Sequence, residues 1–197
     1  MDATFVQKSS EWIRKPKGID ANLEDYFKTY KSFRWSAVEK EFDWYKTKKV
    51  NIVHEAVDRH AAGGRKNKVA LYFWDPTPSA RFPQGRDEKY TFLDLKRESS
   101  RFGNALKKYK IKKRDRVGVF LPRTPELYIG ILGTHRVGAI PVPLFEAFME
   151  AAIEDRLSDS GACAMVTTPE LLKRVPSAKL PALNTAMAQG HSIVITP

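Results

Sequence analysis

A single cysteine, Cys163, in 197 residues cannot close an internal disulfide, which suits a reducing compartment and excludes a disulfide-stapled scaffold. No run of about 18 apolar residues occurs, so no transmembrane helix is expected. The opening MDATFVQKSSEWIRKPKG has no continuous apolar stretch of the secretory kind. Together these absences read as a soluble, cytoplasmic protein. Glycine-rich phosphate cradles are missing as well: neither G-x-x-x-x-G-K-[ST] nor G-x-G-x-x-G after a strand is present. His54 and Glu55 superficially suggest a zinc helix. The next histidine, however, is His60, about 240° round the helix, so the two cannot share a ligand face. No metal site and no Ser/His/Asp triad follow from spacing. His135 and His191 read as structural or exposed, and Cys163, inside an apolar segment, as inert packing.

What is present is a chain with 42% hydrophobic residues, enough for a sizeable core at a length where about 70% of the unfolded surface is buried on folding. Lys plus Arg outnumber Asp plus Glu by 34 to 23, and the resulting +11 suggests an anionic partner: nucleic acid, a membrane surface or a phosphorylated small molecule. The charges are dispersed, with the densest pieces at 46–49, 65–68 and 107–116, and they read first as solvated faces.

Residues 1–20 are polar and expected to be mobile. Residues 21–64 read as a helical extension. Asn22 precedes an apolar stripe of Leu23, Tyr26, Phe27, Tyr30 and Phe33. Ser36 with Glu39 suggests a capping box for a second helix with Val38, Phe42 and Tyr45 inside. Asn51 is placed to cap a third helix that ends at Gly63 and Gly64. The aromatics are expected to pack this extension onto the main body rather than to stack on single-stranded nucleic acid.

From residue 65 the pattern changes. Val69–Trp74 is strand-like, 75–88 is proline-rich and reads as a loop or loose hairpin, and Thr91 with Asp94 opens a helix by a capping box. Arg116–Leu121 is a second strand, and Thr124-Pro125-Glu126 starts a helix with a hydroxyl cap, proline in the first turn and an acid at the positive end of the dipole. Gly130 and Gly133 within that helix make sense beside a closely packed strand. Ala139–Leu144, with two prolines, suits a strand at a sheet edge. A third helix over 148–160, a buried strand over 162–166 and a helix start at Thr168-Pro169-Glu170 complete the alternation. Apolar strands between amphipathic helices imply an α/β fold with a parallel sheet covered on both faces. In such sheets ligands bind beyond the carboxyl ends of the strands, here at Pro122–Thr124, Pro143–Phe148 and Thr167–Arg174. The middle loop carries Phe145 and Phe148 around Glu146, and Lys173 with Arg174 offers positive charge to a phosphate.

The segments YTFLDLKRESSRFGNALKKY, DRVGVFLPRTPELYIGILGTHRVGAIPVPLFEAFMEAAIEDRL and VTTPELLKRVPSAKLPAL, with YFKTYKSFRW upstream, together resemble the amino-terminal part of AMP-forming acyl-CoA synthetases, in particular the acetyl-CoA synthetase branch. The resemblance is collinear over about residues 22–183. It implies the first subdomain of the adenylate-forming synthetase fold over 65–183, a partial parallel sheet with flanking helices, followed by a divergent tail at 184–197. It also implies coenzyme A and magnesium-ATP as substrates in acid–thiol ligation through an acyl-adenylate. Phe145, Glu146, Ala147, Lys173 and Arg174 match positions that face coenzyme A, although many members have glycines where Glu146 and Ala147 stand. No catalytic residue is carried over. The Thr/Ser/Gly-rich ATP loop ending in lysine, the adenine-holding region and the carboxy-terminal domain have no match among these residues. The expectation is therefore an amino-terminal portion, inactive alone, that meets the remainder of a synthetase or associates with itself through a bare sheet edge. A non-catalytic binding or assembly module is the alternative, and a basic nucleic-acid-binding protein ranks behind both. Neither nucleic acid nor membrane is the expected partner.

Overall fold

Every second residue of Arg116–Phe120 (β3) faces one of two apolar layers, and the strand is buried from Val117 onward. It lies inside a parallel sheet of order β4-β3-β5-β6, with β4 at Ile140–Leu144, β5 at Ala164–Thr167 and β6 at Ile193–Val194. Arg116 pairs with Ile140, and Val117 pairs with Ala164 on the other side. The computed structural model describes residues 25–79, 82–180 and 183, with the backbone of 193–194. The expected mobile segment 1–20 and the start of the first stripe, Asn22 and Leu23, lie outside the described residues.

Helices cover both faces of the sheet. On one face Val117, Val119 and Leu121 meet Leu106 of α5 (Phe92–Lys108) and the partly buried Leu127 and Ile131 of α6 (Pro125–Arg136). On the other, Phe120 and Met165 meet Ile153 and Leu157 of α7 (Glu150–Ser160) and Leu171 of α8 (Pro169–Leu172). Each fully buried aliphatic side chain contributes about 1.5–3 kcal/mol before entropy is counted. The Thr91–Asp94 box forms as the spacing predicts: Asp94 N–H donates to Thr91 Oγ1 at 3.2 Å, and Thr91 N–H donates to Asp94 Oδ2 at 3.0 Å. Thr124 is the N-cap of α6 with Pro125 in its first turn, but its hydroxyl makes no capping bond.

Edge strand β4 is closed by its prolines. Ile140 N–H donates inward to Asp115 O at 2.7 Å. The strand's period of two turns alternate amides outward, and those positions are Pro141 and Pro143, which have no N–H to present.

Other expectations change. Val69–Asp75 (β1) does not join the parallel sheet. It pairs antiparallel with Arg86–Thr91 (β2), a strand too polar to recognise in RDEKYT, to make a separate two-stranded sheet. The Ser36–Glu39 box does not form: α2 (Trp35–Glu39) begins one residue earlier, with Arg34 at its N-cap and no side-chain cap. The tail contributes β6 (Ile193–Val194), a β-branched pair in parallel register with Val166 and Thr167.

The extension docks by its third helix. Asn51 Oδ1 accepts from Val53 N–H at 3.0 Å, capping a segment that runs through a π-helical stretch, His54–Asp58, into α4 (Arg59–Ala62). Val53 and Val57 bury against Leu95. Buried Glu55 accepts from the Trp44 N–H at 2.8 Å, at the start of α3 (Asp43–Thr47). The aromatics of α1 (Tyr26–Ser32) do not pack on the body: Phe27 is 74% exposed and Tyr30 72%, as is Trp35 of α2 at 74%. They contact one another instead, Tyr26 stacking on Tyr30 at 6.0 Å.

Candidate functional site

Because β3, β4 and β5 are parallel, the loops that follow Phe120, Leu144 and Thr167 share one border of the sheet. That border is where open α/β sheets hold ligands.

The loop after β4 is a tight turn. Phe148 N–H donates to Phe145 O at 2.9 Å. Glu146 and Ala147 are absent from the residues with positive φ, so the turn accepts L side chains where glycine is common in the resemblance. Phe145, 49% exposed, meets Phe148 edge-to-face at 5.8 Å and 89°. An exposed aromatic on an ordered turn offers an apolar wall to a ligand.

Positive charge surrounds this turn. Arg174, just beyond α8, donates from Nη1 to Glu146 O at 2.8 Å, which joins the two regions singled out in the sequence. Lys173 is the C-cap of α8 and is exposed, and among the described residues its ammonium has no hydrogen bond or ion pair. Two further arginines escaped the sequence reading. Arg123 holds its Cζ 6.0 Å from the centre of the Phe145 ring, and Arg156, from α7, holds its Cζ 4.3 Å from that of Phe148. Arg123 sits in a loop already named as a candidate. Arg156 gave no signal, since its neighbour Phe148 is eight positions away along the chain. Among the described residues, no ion pair involves Arg123, Arg156, Lys173 or Arg174.

The β3–α6 loop is fixed from below. Thr124 N–H donates to Pro122 O at 2.7 Å, closing a three-residue turn with Arg123 at its apex. Two residues on, Glu126 accepts from Arg86 of β2 at 2.7 and 3.2 Å. Arg86 also donates from Nη2 to Glu88 at 2.8 Å and lies between the Phe73 and Phe82 rings, at 5.1 and 5.2 Å. Its Nε is 2.8 Å from Glu88 Oε1 but off the line of a hydrogen bond. Burial works against the Glu126 carboxylate, yet hydrogen bonds from Arg86 and Thr124 outweigh it and hold its pKa below the usual value. The Arg86 hydrogen bond lowers Glu88 in the same way. Burial, with the hydrogen bond it donates to Glu88, pushes the Tyr90 phenol up to about 12.

The arrangement is suited to holding an anion beside an apolar group. Among the described residues, no three His, Cys, Asp or Glu gather as metal ligands. Cys163 precedes β5, at the border of the sheet opposite these loops, and burial raises its thiol pKa. Among the described residues, no helix is long and apolar enough to cross a membrane.

Comparison with known proteins adds a lineage. Residues 57–196 match the family described as AMP-binding enzyme. The chain is 52% identical over 172 residues to an acetyl-coenzyme A synthetase of Bacillus subtilis, covering 87% of this chain and 29% of that protein. It is 34% identical over 150 residues to one of Methanothrix soehngenii, covering 76% of this chain and 22% of that protein. The crystal structure of a Brucella canis acyl-CoA synthetase superimposes with a TM-score of 0.64 at 31% identity, over 88% of this chain and 29% of that one. The chain thus spans less than a third of the length of these relatives.

Proposed function

We propose, for a chain that belongs to the AMP-binding enzyme family, that it supplies the coenzyme A-facing amino-terminal part of an AMP-forming acetate (short-chain acyl) ligase. In that reaction a carboxylate attacks the α-phosphate of magnesium-ATP, giving an acyl-adenylate and releasing pyrophosphate. The thiol of coenzyme A, losing its proton, then attacks the acyl carbonyl, and AMP leaves as the thioester forms.

One observation carries the reading. A chain 52% identical over most of its length to an acetyl-coenzyme A synthetase presents an exposed aromatic turn, flanked by unpaired arginines, at the carboxyl border of its parallel sheet. In this reading Phe145 forms an apolar wall for the pantetheine arm, Glu146 and Ala147 line its path with backbone, and Lys173 and Arg174 meet coenzyme A phosphates. Adenylation needs anion-stabilising groups around the transferring phosphate. The 197 residues include no Thr/Ser/Gly-rich loop ending in lysine, so they bind coenzyme A without adenylating acetate by themselves. The rest of a synthetase is the partner this reading requires, and the cytoplasm is its location.

Titration calorimetry of the 197-residue chain with coenzyme A tests the reading. Binding that weakens when Lys173 and Arg174 are both replaced by alanine supports it, whereas no heat from a folded sample overturns it. Acetate-dependent pyrophosphate exchange above background would overturn the assignment of inactivity.

A further inference from the structure

We propose that Arg123 is a phosphate-binding residue of this site and that, with Arg174, it clamps the nucleotide end of coenzyme A across the Phe145–Phe148 turn. The inference rests on the coenzyme A reading above and adds a residue which that reading does not contain.

The argument starts from what Arg123 lacks. Its guanidinium carries five N–H donors in a planar fork. Among the described residues it has no carboxylate partner, and its Cζ stands 6.0 Å from the centre of the Phe145 ring. That distance is the outer limit for a cation over an aromatic face, so the ring does not account for the charge. Arg174, from just beyond α8, donates through Nη1 to the Glu146 carbonyl of that turn, and among the described residues its other side-chain donors have no hydrogen-bond partner. Arg123 through the Phe145 ring and Arg174 through the Glu146 carbonyl thus bring two positive charges to one short turn, where an anion is favoured.

The backbone at Arg123 is also ordered in advance. The Thr124–Pro122 bond puts it at the apex of a three-residue turn, Pro125 stiffens the next position, and Arg86 grips Glu126 two bonds deep. Ordering a loop around a ligand is normally opposed by backbone entropy, and here the turn has already limited that part of the loss. A positioned, unpaired arginine beside an apolar wall matches a ligand with phosphates at one end and a thin apolar arm at the other. Coenzyme A has that form. The fork of arginine engages two phosphate oxygens at once, which lysine cannot do.

The experiment compares three probes on the 197-residue chain by titration calorimetry: coenzyme A, adenosine 3′,5′-bisphosphate and pantetheine. Arg123→Ala is expected to weaken the first two by about tenfold, the loss of one charge-assisted contact, and to leave pantetheine unchanged. Arg123→Lys is expected to recover only part of the loss. Arg123 is exposed, and matched thermal melts of the variants confirm an intact fold. If Arg123→Ala binds the bisphosphate as well as the unaltered chain does, while the Lys173/Arg174 double variant does not, the role of Arg123 is overturned and the coenzyme A reading stands. If the unaltered chain binds neither coenzyme A nor the bisphosphate, both fail. Equal weakening for pantetheine would also overturn the proposal, because it would mean that Arg123 shapes the turn rather than holding phosphate.

Discussion

Gly103 of α5 and Gly133 of α6 stand against each other at the crossing of the two helices. A Cβ on Gly103 would come to 3.3 Å from the Gly133 carbonyl oxygen. One on Gly133 would come to 2.6 Å from Phe102 Cδ1 and 2.9 Å from Ser99 O. The close approach is between helices. Gly130, one turn earlier, faces β3 instead, where an added Cβ would meet Val119 Cγ1 at an ordinary 3.8 Å.

The two glycines should therefore respond oppositely to alanine. Gly133→Ala forces the helices apart and is expected to cost about 1–3 kcal/mol. Gly130→Ala meets no obstacle and is expected to gain up to about 1 kcal/mol from helix propensity. Urea unfolding of both variants checks the pair, and equal midpoints would contradict it.

Among the described residues, one ion pair joins the extension to the body beside its apolar contact with Leu95. Arg136 donates to both oxygens of Asp58, at 2.7 and 2.8 Å, and from Nε to Ser99 Oγ at 3.0 Å. The side chains are only 16% and 20% exposed. Arg136→Met should destabilise by about 2–3 kcal/mol because it leaves Asp58 without its partner. Limited proteolysis should then cut first in 63–68, between the extension and β1.

Acid should loosen the β1–β2 hairpin from α6. Glu88 and Glu126 have folded pKa values below their ordinary 4.5, so their stabilising contribution is complete above that value and is lost as pH falls through the depressed ones. Glu126→Gln should flatten the fall of the urea midpoint between neutral pH and pH ~3. An unchanged slope would remove Arg86–Glu126 as a source of acid sensitivity.

Phe145→Ala tests the apolar wall separately from the phosphates. With half its surface exposed, the ring contributes little to the core, so thermal stability should hold. Affinity for pantetheine should fall by about tenfold, the value of one lost aromatic contact, while adenosine 3′,5′-bisphosphate binding is retained.

How much of this was legible depended on whether the signal was local. The Thr91–Asp94 box, the β3 and β5 strands and the proline-marked edge strand depend on neighbours along the chain, and each formed within a residue or two of its expected bounds. The β1–β2 pair did not read, because RDEKYT is polar and is held by Arg86 reaching Glu126, forty positions away. The exposed stripe of α1 has helical periodicity without a partner, so its spacing announced a helix and not where that helix would lie. Phe145 and Arg174 could be singled out from loop position, and the hydrogen bond joining their loops could not. Arg123 carries no pattern at all, since only the turn at Pro122–Thr124 and the nearby ring set it apart from other surface arginines.

Pro141 and Pro143 give the sheet one sterile margin. Fibril-like stacking needs each copy to offer a receptive row on both sides, so that every newcomer recreates the site it used. With no outward amide donors along β4, a copy that added there would find half the ladder missing. Lateral growth would have to proceed from the opposite margin alone and would stop after a single step.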